Sequence, residues 1–250
     1  MADSKKSPLI LGKWNYVLLL GVSGSGKSPM VKNINKFWHP SLKATSMGEV
    51  MREKAKTDEE IRSLTEQGLL IGDDIVMPIF RSILADCAPA ILDGFPRNRH
   101  QTLEAIKSFK EYGWRVLVID IQCNIDVIIE RLLTRGRNDD KLAIMHKRNV
   151  MHKAQHPLVM AEINSRADMF DVITLNGNRA MDVTFTDFLL GVLRLVDMLN
   201  LYDMPQPDVM FNVNEDETSV NNAVNRWFSD MLIYIEKRCY QPNFYSGIQN

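Results

Sequence analysis

The string Gly21-Val22-Ser23-Gly24-Ser25-Gly26-Lys27-Ser28 matches G-x-x-x-x-G-K-[ST] and constrains the fold more than any other feature of the chain. Its spacing has a chemical reason. Glycines let successive backbone N–H groups turn inward around phosphate oxygens. A helix opening at the end of the loop points the positive end of its dipole at the same anion. Lys27 adds a mobile full charge, and the Ser28 hydroxyl suits Mg²⁺. Such a loop works only between a buried strand and a helix. Residues 16–20 (YVLLL) are a continuous apolar run, and a helical pattern extends from about Lys27 to Trp38. Pro29 fits that helix because the first turn leaves its N–H unpaired in any case. At ordinary residue frequencies a chance match in such a chain is about one in a hundred.

The rest of the chain continues the alternation. Helices are predicted over 47–56, 58–67, 73–86, 99–112, 125–134, 140–169 (with a break at His156-Pro157) and 180–199, and strands at 90–92, 114–122 and 172–175. Gly68 and Gly113 fall where helices should stop. The strands are nearly all apolar, as in WRVLVIDIQ at 114–122. This predicts an α/β, three-layer fold whose parallel central sheet is covered by helices on both faces.

Composition removes several function classes. The chain has 250 residues, 45% hydrophobic and 24% charged, which is the ordinary globular range and excludes disorder as the main reading. A net charge of -1 argues against a duplex-DNA coat or a polybasic membrane binder. Cys87, Cys123 and Cys239 lie far apart and form no CxxC pair. That excludes a disulfide scaffold and a cysteine-based structural zinc, and it fits a reducing, cytoplasmic compartment. The start, MADSKKSP, lacks the apolar core of a secretory signal, and no apolar run approaches the roughly 20 residues of a membrane span. His39, His100, His146, His152 and His156 show no HExxH spacing and are expected at surface or structural positions.

A second motif, Leu92-Asp93-Gly94-Phe95-Pro96-Arg97, ends a predicted strand. An acid there can hold water ligands of Mg²⁺, and an arginine on the following turn can fork onto a phosphate. On chemistry alone, the two motifs read as a P-loop phosphotransferase. The string Asp-Gly-Phe-Pro-Arg further resembles the signature of the adenylate kinase family of nucleoside monophosphate kinases. Further segments keep that family's order. Residues 46–52 (SMGEVMR) resemble the start of its acceptor-binding segment, and 68–76 (GLLIGDDIV) resemble its Gly-x-Leu-Val-Pro-Asp-x-x-Val. Residues 131–140 (RLLTRGRNDD) resemble a lid without an inserted hairpin, and Lys147-Arg148 matches the family's Lys-Arg.

The resemblance implies a P-loop NTPase-type domain over 14–198, with an acceptor-binding segment at about 45–76 and a short lid at about 131–140. It implies ATP at Gly21, Ser23, Gly24, Ser25, Gly26, Lys27, Ser28, Arg131 and Asn178. AMP is implied at Met47, Arg52, Ile71, Gly94, Arg97, Gln101, Arg137 and Arg148. The catalytic cations would be Lys27, Arg97, Arg135, Arg137 and Arg148. Mg²⁺ would sit at Ser28 and, through water, Asp93, with no structural zinc. Taken singly, these arginines are ordinary surface charges; their agreement in order carries the reading. Gln101 matches the family's adenine reader, whereas Met47 stands where many members carry Thr and Asn98 resembles pyrimidine-directed relatives.

The expected activity is MgATP + AMP ⇌ MgADP + ADP in a monomer that binds no nucleic acid or membrane. The alternatives are a UMP/CMP or deoxynucleoside monophosphate kinase, and an inactive nucleotide-binding scaffold. Residues 1–13 read as a loose tail and 199–250 as a C-terminal extension, a linker with two prolines before an amphipathic helix at 218–238. That helix, with Trp227 and Phe228 on its stripe, is expected to pack on the kinase's own surface or, alternatively, to meet a protein partner.

Overall fold

A computed structural model describes residues 13–37, 42–86, 90–136 and 141–195. The expectations for the tail before Lys13, for Arg137 and the Asp139-Asp140 pair of the lid, and for the extension 199–250 lie outside those residues. In chain order the elements are β1 (Tyr16–Leu20), α1 (Lys27–Phe37), β2 (Lys43–Ser46), α2 (Met47–Lys54), α3 (Glu59–Glu66), α4 (Asp73–Asp86), β3 (Ala90–Asp93), α5 (Arg99–Glu111), β4 (Val116–Gln122), α6 (Ile125–Arg135), α7 (Leu142–Asn164), β5 (Phe170–Asn176) and α8 (Met181–Leu195). The chain divides into two compact units, Met1–Val192 and Leu193–Asn250, and all of these elements except the end of α8 build the first.

The five strands form one sheet in the order β2-β3-β1-β4-β5, and every pairing is parallel. Parallel neighbours need crossover connections, so helices cover both faces. Burial follows the pleat. Tyr16, Leu18 and Leu20 join Ala90, Leu92, Val116 and Val118 in a core with Val76, Met77 and Phe80 of α4 and Val159 and Ile163 of α7. Val17 and Leu19 point to the other face and are equally buried. There α8 lies so close to β5 that a Cβ on Gly191 would sit 2.9 Å from Ile173 Cγ2. Phe109 anchors the first core, edge-on to Phe80 and Phe170.

The structure adds one strand that the sequence analysis did not name and corrects one expected break. The polar segment Lys43–Ser46 forms the edge strand β2, although its residues are exposed or half-buried and carry no apolar alternation. Pairing with β3 on one side suffices to hold it. The break expected at His156-Pro157 does not occur, and α7 runs unbroken through Pro157 to Asn164. Pro157 faces solvent, where water can satisfy the carbonyl its missing N–H leaves free. Gly68 and Gly113 do end their helices, both with positive φ.

Candidate active site

β1 delivers the chain into the loop 21–26 at the carboxyl edge of the sheet, where ligands gather in open α/β folds. Gly21 takes φ +133°, and a Cβ there would lie 2.6 Å from the Ile121 carbonyl oxygen. Only glycine lets this backbone pass so close to β4. The Lys27 ammonium donates to the Gly21 carbonyl at 2.8 Å and the Val22 carbonyl at 2.9 Å, and stands 3.9 Å from Asp93 Oδ1. Burial lowers the Lys27 pKa; Asp93 opposes the shift, while Arg97 and Arg135 add to it.

β3 ends on Asp93, which is buried, and Gly94 turns the chain with φ +76°. Arg97 curls back so that its Nε–H donates to the Gly94 carbonyl at 2.8 Å. A Cβ on Gly48 would be 3.4 Å from Arg52 Nη1 and 3.6 Å from Arg97 Nη2, so the two guanidinium groups meet over the first turn of α2. The Arg97 pKa is lowered by burial, with Asp93 opposing and Arg148 and Arg52 contributing repulsion. Arg148, on α7, donates from Nη2 to the Thr65 carbonyl at 3.3 Å.

These groups line one cavity of about 430 Å³. Of the residues selected from sequence, it gathers Gly21, Ser23, Gly24, Gly26, Lys27, Ser28, Arg52, Ile71, Asp93, Gly94, Arg97, Arg131, Arg135 and Arg148. Arg131 also ties α6 to the loop after β5, donating to the Gly177 carbonyl at 2.6 Å and the Arg179 carbonyl at 3.0 Å. Ser28 and Asp93 offer hard oxygen donors at the phosphate loop, and Asp93 Oδ1 is buried without a hydrogen-bond partner. That donor set fits a divalent cation such as Mg²⁺.

Four selected residues stand outside the cavity wall. Met47 belongs to the hydrophobic core. Ser25 is fully buried beneath the loop. Asn178 is exposed and accepts from the Asn124 N–H at 2.8 Å. Gln101 is buried, and both ends of its amide are engaged. Its Oε1 accepts from the Arg97 N–H at 2.8 Å, and its Nε2 donates to Asp73 Oδ1 at 2.8 Å. Asn98 caps α5 through the Gln101 N–H and also donates to Asp73 Oδ1 at 3.0 Å.

The cavity contains two residues that the sequence reading placed at surface or structural positions, His152 and His156. The ring of His156 stacks on that of His152 with centroids 4.6 Å apart, and its Nε2 lies 3.1 Å from Asp120 Oδ2. Burial would raise the Asp120 pKa, but hydrogen bonds from His156 and Gln122 outweigh it and hold the carboxyl below the usual range. His152 is pushed down to about 4 by burial, then by His156 and Lys27, with Asp120 opposing and Arg97 adding. A signal for the pair exists in the sequence. Arg148, His152 and His156 follow at four-residue steps, one face of a helix.

Comparison with known proteins bears on the family. The adenylate kinase family profile matches residues 19–166. An adenylate kinase of Parabacteroides distasonis is 32% identical over 155 residues, 57% of this chain and 80% of its own. One from Porphyromonas gingivalis is 30% identical over 156 residues, 57% of this chain and 79% of its own. UMP-CMP kinase 1 of Oryza sativa subsp. japonica is 28% identical over 187 residues, 70% of this chain and 72% of its own. A solved gluconokinase from Sinorhizobium meliloti 1021 aligns over 78% of this chain and 99% of its own, with TM-score 0.48 and 16% identity. With the family profile covering more than half of its length, this phosphotransferase belongs to the adenylate kinase family.

Proposed function

We propose that the protein catalyses MgATP + AMP ⇌ MgADP + ADP. The observation that supports this reading is one cavity lined by both the G-x-x-x-x-G-K-S loop and a group of arginines. Lys27 and the glycines of the loop 21–26 line it, and so do Arg52, Arg97 and Arg148, which act on one another, and the stretch Gly68 to Ile71. An AMP phosphate is already anionic, so it needs no general base to become a nucleophile. Catalysis is then alignment and charge neutralisation. Lys27 would exchange the carbonyls of its own loop for donor phosphate oxygens. Arg97 and Arg52 would orient the acceptor phosphate, and Arg135 and Arg148 would share the transferring group's charge. Ser28, and Asp93 through water, would hold the Mg²⁺ that enters with ATP, which supplies further neutralisation of the donor phosphates. Closing the site over both nucleotides would exclude water and suppress hydrolysis.

A second reading is a kinase of UMP, CMP or a deoxynucleoside monophosphate. It is favoured by the placement of Gln101, whose amide is committed to Asp73 and to the Arg97 N–H, with Asn98 beside it on the same carboxylate. A coupled assay with MgATP against AMP, UMP, CMP, dAMP and dCMP separates the readings. AMP is expected to give the highest kcat/KM. A preference for a pyrimidine acceptor replaces the first reading with the second, and no turnover with any monophosphate overturns both.

A further inference from the structure

His152 and His156 line the cavity, and together with the buried Asp120 they form a cluster that the mechanism above leaves unused. Asp120 is the one carboxylate in the otherwise apolar interior of β4, and it is 1% exposed. Its Oδ2 accepts from Gln122 Nε2 at 2.9 Å and faces His156 Nε2 at 3.1 Å. An ionised carboxylate can only accept, so His156 donates from Nε2 and its ring plane is set. His152, one turn earlier on α7, stacks on that fixed ring and lines the same cavity as Lys27. Four charged or titratable groups act on His152: His156 on its own helix, Lys27 on α1, Asp120 on β4 and Arg97 after β3. Around it the cleft presents mainly positive charge.

We propose that His152 is a further phosphate-contacting residue of this cleft, held in place by the His156–Asp120 pair, and that it takes up a proton when a polyphosphate binds. The inference rests on the phosphate-site reading above. Its logic is charge balance. Burial, then His156 and Lys27, hold the ring neutral with a pKa of about 4, with Asp120 opposing and Arg97 adding to the repulsion from Lys27. Phosphate oxygens drawn to those cations reverse the sign of the local field. Unit charges about 5 Å apart at an effective dielectric of about 20 move a pKa by more than about one unit. Below that raised pKa the ring is an imidazolium that donates to phosphate, and the His156–Asp120 pair keeps it from turning away. His156 and Asp120 act through His152 and are positioning residues.

The test uses the full-length chain and inorganic tripolyphosphate, which carries no base. The His152 imidazole is followed by ¹H–¹⁵N NMR across pH. It is expected to titrate near 4 alone and more than about one pH unit higher with tripolyphosphate bound. His152→Gln is expected to weaken tripolyphosphate binding about tenfold at acidic pH and less than about twofold at alkaline pH, since only the acidic range populates the imidazolium. Asp120→Asn is expected to shrink the wild-type shift on binding. An unchanged His152 titration, or the same weakening at both pH values, overturns the proposal while leaving the phosphate site standing. Failure of the wild-type protein to bind tripolyphosphate at any pH overturns the phosphate-site reading and this proposal with it. The NMR titration needs no variant, so a poorly folded His152→Gln protein does not protect the idea.

Discussion

The Lys27 ammonium holds two carbonyls of its own loop and stands 3.9 Å from Asp93 Oδ1. Its charge is therefore stored where donor phosphates are proposed to arrive. On the proposed mechanism, Lys27→Ala removes charge stabilisation from the transition state without opening a core cavity. Turnover is expected to fall by at least about a hundredfold, with the circular dichroism spectrum unchanged; turnover near wild type would refute the assignment. Gly21→Ala is expected to act on the backbone instead. A Cβ would meet the Ile121 carbonyl oxygen at 2.6 Å at φ +133°, so the loop or β4 must shift. A loss of more than about 1 kcal/mol in denaturant unfolding is expected. These two residues are legible in sequence because the phosphate loop is a local string. Gln101 is less so. Its spacing from Arg97 resembles a base reader, but the orientation of its amide depends on Asp73, on a helix that spacing alone does not bring near.

At the level of elements, legibility follows how local the determinant is. β1 announces itself through an unbroken apolar run and β4 through one interrupted by Asp120, because both faces are covered. β2 does not, since an edge strand with exposed residues is held by β3 and not by its own pattern. α7 is the instructive case. Pro157 suggests a break, but its ring faces solvent and the helix continues, while Arg148, His152 and His156 ahead of it lie at four-residue steps on one line facing the cleft. That placement has a consequence for stability. The folded-state pKa of His152, about 4, lies below its ordinary value of 6.5. Between those values the unfolded chain binds the proton and the folded chain does not, so stability falls as pH drops through that window. Asp120, held below the usual carboxylate range, loses its contribution only at still lower pH. The thermal midpoint is expected to fall from pH 6.5 toward pH 4. His152→Gln should flatten that decline, and an identical slope in the variant would show that burial of this ring does not cause it.

For the molecule as a whole, the formal net charge of -1 conceals a strong asymmetry. Among the described residues, Lys27, Arg52, Arg97, Arg131, Arg135 and Arg148 line one cavity, against Asp93 and Glu49 as carboxylates. Like charges held close raise the free energy of the compact cleft, and the lowered pKa values of Lys27 and Arg97 include that mutual repulsion after burial. Screening should relieve it. Raising salt from low to moderate concentration is expected to raise the melting temperature of the nucleotide-free protein, as the Debye length contracts to about 8 Å near physiological ionic strength. A polyanionic ligand relieves it more directly. Saturation with ATP at about a hundred times its Kd should add about 2.7 kcal/mol of stability, which for a chain of this size is a rise of about 5–10 °C in melting temperature. The two effects compete for the same charge, so the ATP-induced rise should shrink as salt increases. Differential scanning calorimetry over a matrix of salt and ATP concentrations measures both. If the salt effect and the ATP effect simply add, the cationic cleft is not where the repulsion resides, and an open form closing around its nucleotides would need a different driving force.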